Sequence, residues 1–324
     1  MTRRDFVCSA ALPAAVPAPS DKSGDYSRIR GFNYQPSYHY NGCGIWLNFR
    51  TDLVDLELGR GKKYFPGINT VRLWLSVDAF AVNPKKAAQN FEAALRIANK
   101  HGLQVVATLF NNWHSLPDFG GLSLEMVRYW GDPKNNTIPL NLLAAYVEQI
   151  ACAHGRDDRV LLWDLCNEPF NSGNDSEYAE WLGRIYRQCK EAGVKAPLGV
   201  SVPPSLKQLE LVEPISDVLM IHPYGNQKFL EGALALGRKA GKPVIATECC
   251  WGHLDDARRA AIVENELTAL KAADIGFLAH VLHHSLVADC HRQRYGAVST
   301  AGYMAFIEDD GSLRRHHEVF NKFT

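Results

Sequence analysis

Eight times along this chain a short apolar run gives way to a polar stretch with helical patterning, and that alternation restricts the fold more than any other feature. The runs predicted as strands are Ile29–Tyr34, Thr70–Leu75, Gln104–Phe110, Val160–Pro169 up to its break, Leu198–Val202, Val218–His222, Pro243–Glu248 and Gly276–Leu282. Between them, Asn83-Pro84 supplies a helix cap with proline at the first helical position, and Gly102, Gly193 and Gly241 supply helix stops. Strict alternation implies a parallel sheet with helices outside, and eight units imply a closed (β/α)8 barrel of the α/β class. An open, doubly wound sheet would usually carry a glycine-rich first turn, and no G-x-G-x-x-G follows Ile29–Tyr34. No shift in composition marks a linker, so residues 21–324 are expected to form one domain.

Composition narrows the partners. With 35 Lys+Arg against 35 Asp+Glu the net charge is +0, which argues against nucleic acid, whose binders carry a basic face. No run approaches the roughly 20 apolar residues of a membrane span. At the N-terminus, Thr2-Arg3-Arg4-Asp5-Phe6-Val7 followed by the small-residue stretch Cys8–Ala18 resembles a twin-arginine export signal. Residues 1–20 are therefore expected to be removed near Ala18 or Ser20, leaving a periplasmic or secreted protein. Of 8 cysteines, Cys8 lies in that signal, Cys249 and Cys250 are adjacent, and Cys166 and Cys249 flank strands where a free thiol behaves as a small hydrophobe. Few or no structural disulfides are expected, a loop pair involving Cys43 being the exception.

Two strand candidates end the same way. VLLWDLCNEP stops at Asn167-Glu168-Pro169, and PVIATE stops at Glu248, 80 residues on. Proline has no N–H to continue a ladder, so Glu168 falls at the carboxyl end of its strand, the rim on which barrels bind ligands. Two carboxylates on one rim are what glycoside hydrolysis requires. The remaining rim set is Arg72, Asn111, Asn112, Trp113, His114, Asn167, His222, Tyr224, Trp251 and His283. Singly, each has a plain structural alternative: an ion pair, a core histidine, loop packing. Their common placement at one edge of different strands is what sets them apart. The segment from about 111 to 138 exceeds the usual loop length and is too aromatic to read as disordered.

These residues resemble retaining glycoside hydrolases of clan A, most closely family 5, the cellulase and mannanase type. The matching pieces are Arg72, Asn167-Glu168-Pro169, His222-x-Tyr224 and Glu248; Asn111-Asn112-Trp113 with Gly120-Gly121 is similar to a loop of family 5 mannanases. The resemblance implies hydrolysis of a β-linked oligo- or polysaccharide, of mannan or glucan type, by double displacement without a cofactor. In that scheme Glu168 is the acid/base and Glu248 the nucleophile, kept ionised by Arg72 and Tyr224. Asn167 binds the sugar 2-hydroxyl and His222 orients the acid/base or the sugar. Asn112, Trp113, Trp251 and His283 contact substrate, with Trp46, Trp74 and Trp130 as further aromatic candidates.

One departure stands out. Family members usually place a tryptophan after strand eight as the floor of the catalytic subsite; here the stretch is His280-Val281-Leu282-His283-His284-Ser285. Histidines 280, 283, 284 and 291 raise a metal reading, set aside because no acidic cluster of ligand spacing accompanies them. Two other functions share the expected site: transglycosylation, and a catalytically silent carbohydrate-binding barrel. Expressed in a host with the twin-arginine pathway, the mature protein should begin near Ala18 or Ser20; N-terminal sequencing of the exported product checks this, and an intact Met1 in the exported fraction contradicts it.

Overall fold

The computed structural model describes residues 25–112, 142–171 and 173–324. The expected export segment, and Trp113, His114, Gly120-Gly121, Tyr129 and Trp130 of the long loop, lie outside these described residues.

Eight parallel strands close on themselves in chain order: β1 (Arg30–Tyr34), β2 (Thr70–Trp74), β3 (Gln104–Asn111), β4 (Val160–Asn167), β5 (Leu198–Val202), β6 (Leu219–Ile221), β7 (Val244–Cys249) and β8 (Gly276–Ala279). β1 bonds to both β2 and β8, which completes the cylinder. Helices connect the strands outside it, giving the (β/α)8 barrel that the alternation predicts. The local signals act where expected. Asn83 caps helix Pro84–Lys100 by accepting from Lys86 N at 3.0 Å, and Gly241, at φ +66°, ends helix Gln227–Ala240. Two six-residue helices, Gly42–Leu47 and Val77–Val82, were not expected; six residues are too few to display an apolar stripe, although Asn41 and Ser76 do cap them.

The core has two compartments. Outside the cylinder, helix and strand side chains interdigitate in one large cluster. Inside it, a small apolar plug of Ile29, Val106, Leu162, Met220, Ile245 and Leu278 fills one end. Toward the carboxyl ends of the strands the filling turns polar: Asn33, Arg72, Thr108, Asp164, Ser201 and Thr247 are all buried. This change of character inside one closed cylinder is what positions the site.

β8 is shorter than expected. After Ala279 the backbone leaves the ladder and bonds a later segment instead, with Phe306 N–H donating to Val281 O and Ile307 N–H to Leu282 O, each at 3.0 Å. The tail then turns at Asp310-Gly311, closed by Glu308 N–H to Ser312 O at 2.8 Å, and ends in the 3-10 helix His317–Phe323. That helix stacks Phe320 on Phe32 at 4.3 Å between centroids. Cys43 and the other six cysteines of the described residues are free thiols, so the expected Cys43 pair is not formed. Among the described residues, no helix is long and apolar enough to cross a membrane.

Helix Thr51–Tyr64 carries a buried acid, Glu57, that receives Tyr34 Oη at 2.5 Å and the Ser37 hydroxyl. Burial raises its carboxyl to about 7, against the opposing pull of those two hydroxyls. A folded-state value above the unfolded one means the native state holds a proton the unfolded chain releases. The associated stability is fully present below pH 4.5 and is lost as pH rises through about 7. At about 1.4 kcal/mol per unit the loss is about 3–4 kcal/mol. Glu57→Gln, which keeps the shape without the charge, should flatten the stability-versus-pH curve over that window in urea titrations; an unchanged slope contradicts the assignment.

Candidate active site

Arg72 lies at the centre of the polar layer and is completely buried. β2 aims it inward, beside Asn33 on the register-paired β1. Its Nη1 donates to Glu248 Oε1 at 2.6 Å and Asn33 Oδ1 at 2.8 Å. Its Nη2 donates to Asp164 Oδ2 at 2.6 Å, Asn167 Oδ1 at 2.8 Å and Ser201 Oγ at 3.0 Å. Asp164 is a second fully buried charge and also accepts from Thr108 Oγ1 and Ser201 N, each at 3.1 Å. One cation therefore ties together side chains of β1, β2, β4, β5 and β7, as a planar guanidinium with five donors can and an ammonium cannot.

Glu168 follows β4 and is held there by its own N–H, which donates to Ser201 O at 2.9 Å. Its φ of +46° is in the left-handed region that non-glycine residues avoid, a strain of the kind concentrated at functional sites. Its Oε1 pairs with His222 Nδ1 at 2.8 Å, and Oε2 accepts from Asn171 Nδ2 at 2.9 Å. Glu248, on β7, receives Arg72 on Oε1 and Tyr224 Oη on Oε2, the latter at 2.5 Å. One oxygen of each glutamate and a ring nitrogen of His222 lie within 4.8 Å of one another.

The two acids sit in unlike surroundings. Burial by itself pushes the Glu248 carboxyl up, but His222, His280, Arg72 and the Tyr224 hydroxyl outweigh it and hold it at about 2. Burial favours the neutral form of His280, whereas Arg72 and the Tyr224 hydroxyl are hydrogen-bonded to the carboxylate directly. Burial and the Glu248 charge together raise the Tyr224 phenol well above its usual value, so it donates and does not ionise. Among the described residues Glu168 is paired with no guanidinium; its partners are an imidazole and an amide.

The cleft over this pair has a volume of about 170 Å³ and is walled by Trp74, Asn167, Pro203, Pro204, Tyr224, Trp251, His280, Asp289 and Met304 as well as the two glutamates. Trp251 is 41% exposed and stands edge-on to Tyr224 at 4.6 Å, a free aromatic face at the mouth. A larger hollow of about 680 Å³ lies beside it, between helices Gln227–Ala240 and Asp256–Ala272. Its one acid, Glu266, is occupied by the Gly225 and Cys250 N–H groups, whereas the smaller cleft holds the pair Glu168 and Glu248.

Of the residues named from sequence, the structure brings Arg72, Asn167, Glu168, His222, Tyr224, Glu248 and Trp251 together. Two others it places elsewhere. His283 is buried away from the cleft, with Nδ1 against His284 O at 2.9 Å and Nε2 against Arg60 at 3.2 Å. The backbone leaves the β8 ladder at Ala279, so extending the strand to residue 282 put the wrong histidine at the rim; His280 takes the place. Asn112 is turned inward and donates to Pro169 O at 2.5 Å, bracing the turn that carries Glu168 rather than facing the cleft. Trp46 is packed on Phe49 and donates to Trp74 O at 2.8 Å. Trp113 lies outside the described residues. Sequence reading missed Asn33, Asp164, Ser201, Asn171, His280 and Asp289. A signal existed for Asp164 alone, a charge in the middle of an apolar strand run.

Among the described residues, two clusters have ligand-like spacing for a cation: Glu168, His222 and Glu248, and, on the outside, Glu92, His154 and Asp157. In each an arginine already pairs with at least one acid, Arg72 at 2.6 Å from Glu248 and Arg159 at 2.7 and 2.6 Å from Glu92 and Asp157. A fixed positive charge in contact with the donors opposes a metal at either place.

Fold and geometry together define the chain as a (β/α)8 barrel with an acid pair in a cleft at the carboxyl rim of its strands. The family model described as "Cellulase (glycosyl hydrolase family 5)" matches residues 62–196. Among curated relatives, "Probable mannan endo-1,4-beta-mannosidase A" of Aspergillus clavatus is 23% identical over 202 residues, covering 58% of this chain and 55% of that protein. The chain thus spans about half the length of that relative. Among solved structures, a GH5_18 protein from Streptomyces cattleya in complex with GlcNAc matches with a TM-score of 0.69 at 17% identity, over 90% of this chain and 78% of that one. The exo-beta-1,4-mannosidase of Opitutaceae bacterium strain TAV5 matches with a TM-score of 0.68 at 17% identity, over 90% and 58%. Over residues 62–196 the chain is thus similar to glycosyl hydrolase family 5, and over nine-tenths of its length it shares the fold of these solved structures.

Removing the central cation should be costly, because it leaves Asp164 and Glu248 as uncompensated buried charges. Arg72→Met is expected to lower unfolding stability by about 3–5 kcal/mol, and Arg72→Lys to recover only part of it. Chemical denaturation of the three proteins checks this, and a loss below about 1 kcal/mol for Arg72→Met contradicts a central role.

Proposed function

We propose that this chain is a retaining β-glycoside hydrolase acting on a β-linked oligo- or polysaccharide, of mannan type by the names of its relatives. Supporting this is the distance between the acids. Inverting enzymes need carboxyl groups about 6.5–9.5 Å apart to admit a water, whereas retaining enzymes hold them about 5–5.5 Å apart. One oxygen of Glu168 within 4.8 Å of one of Glu248 fits the second arrangement better than the first.

The unlike surroundings divide the labour. Glu248, ionised by Arg72 and Tyr224, attacks the anomeric carbon and forms a glycosyl ester. Glu168, paired with His222, gives its proton to the departing glycosidic oxygen. Glu168, now a carboxylate, then takes a proton from water as that water attacks the anomeric carbon, and Glu248 leaves as a carboxylate again. Asn167 is fixed by Arg72 on its oxygen and by Asn111 on its nitrogen, at 2.8 Å each, and presents its amide to the 2-hydroxyl. His222 orients Glu168, and Trp251 offers a face on which a sugar can lie. The twin-arginine-like pattern of Thr2–Val7 supports a periplasmic or secreted site for this activity.

Glu168→Ala and Glu248→Ala should each lower kcat on mannan or manno-oligosaccharides by about 10³-fold while the fold, followed by circular dichroism, is kept. Proton NMR of the first-formed sugar should show the β-anomer of a β-linked substrate. An α-anomer appearing first would sink the double-displacement mechanism.

A further inference from the structure

His280 is one residue past β8, and its backbone is fixed at both ends. Its N–H donates to Cys249 O at 3.0 Å, and its carbonyl accepts from the buried Arg259 at 2.9 Å. The side chain is 7% exposed and lines the cleft, with its ring 6.0 Å from that of Trp74 and tilted 44° to it. Nδ1 lies 4.0 Å from Glu248 Oε2, too far for a hydrogen bond, and has no partner among the described residues. Neighbouring polar groups of this wall are already engaged: Asp289 accepts from Ser299 N and Ser299 Oγ at 2.9 and 2.8 Å, and Trp74 Nε1 donates to Asn33 Oδ1 at 3.2 Å.

We propose that His280 is a specificity-determining residue whose Nε2 accepts a hydrogen bond from one hydroxyl of the sugar ring seated against Glu248 and Trp74. This rests on the reading of Glu168 and Glu248 as the reacting pair, and adds which side chain reads the sugar there. The tautomer follows from the neighbours. A carboxylate 4.0 Å away attracts an N–H, so the ring proton belongs on Nδ1, facing Glu248. The opposite edge of the ring, with the Nε2 lone pair, is then left for a ligand. Burial lowers the imidazole's proton affinity, and although Glu248 pulls the other way, Arg72 and His222 add to the lowering, so the ring stays neutral and able to accept. A purely apolar floor would contribute stacking without direction. An imidazole acceptor demands a hydroxyl at one position, and a sugar lacking it leaves a desolvated nitrogen unpaired, which is how polar sites discriminate most strongly.

The test uses β-1,4-mannobiose and its monodeoxy analogues, with binding by titration calorimetry and turnover measured in parallel, on the wild type, His280→Phe and His280→Gln. His280→Phe keeps a flat ring without nitrogens and should weaken mannobiose binding about 10- to 100-fold. One monodeoxy analogue should bind the wild type as weakly as mannobiose binds His280→Phe, and that variant should not distinguish the two sugars. His280→Gln, whose amide reaches the Nε2 position, should recover part of the affinity. If His280→Phe weakens every analogue by the same factor, or none, the proposal is wrong, because a merely structural ring cannot single out one hydroxyl. If the wild type binds mannobiose but hydrolyses no mannan or manno-oligosaccharide, the hydrolase reading fails while the His280 contact is still tested by the binding series.

Discussion

A single buried guanidinium organises the carboxyl end of this barrel. Arg72 has no exposed surface and makes contacts with Glu248, Asp164, Asn33, Asn167 and Ser201 that each lie between 2.6 and 3.0 Å. Desolvating such a charge is expensive unless nearly every donor finds an acceptor in good geometry. Meeting that condition requires acceptors from four other strands at once, and only a closed cylinder of matched register brings them to one point. The need to satisfy Arg72 and the shape of the barrel are therefore the same constraint. Its by-product is chemical: one of the acceptors is Glu248, which is held ionised in a place where burial alone would neutralise it.

Asymmetry between the two acids then follows from what is left over. Glu248 takes the cation and a phenol; Glu168 takes His222 and Asn171. Two identical side chains close together acquire different proton affinities only through different neighbours. The strained backbone at Glu168 and the positive φ of Tyr224 at 42° belong to the same picture. Both residues leave a strand end sharply enough to turn back over the cylinder's mouth, and Ser201 O, which receives the Glu168 N–H, keeps the first of them from relaxing.

The barrel was legible because each unit carries its own local signal. Val244–Cys249 and Leu198–Val202 are apolar on both faces, as strands covered on both sides must be, and Asn83, Gly193 and Gly241 mark helix ends through capping and left-handed backbone. Glu168 and Glu248 were legible because both end apolar runs at the same rim, a joint placement that scattered structural charges would not show. The errors were also local. Apolar Val281 and Leu282 extended β8 on paper, but their hydrogen bonds go to the segment at 306–307, and the two-residue phase of a strand ceases to hold once its ladder is broken. His283 was consequently placed at the rim and His280 overlooked. Asn112 was taken as a reader of substrate when its amide supports the turn at Pro169.

By itself the sequence determined the closed (β/α)8 barrel and the rim position of its two glutamates, since strand periodicity, caps and breaks act over a few residues and need no partner. Only the tertiary structure decided which groups Arg72 binds, that Asp164, Asn33 and Ser201 share it, and that His280 faces the cleft. Those contacts join residues 39 to 176 positions apart, and no short-range pattern records a meeting across that much chain. It is fixed by how neighbouring strands are staggered as the sheet closes.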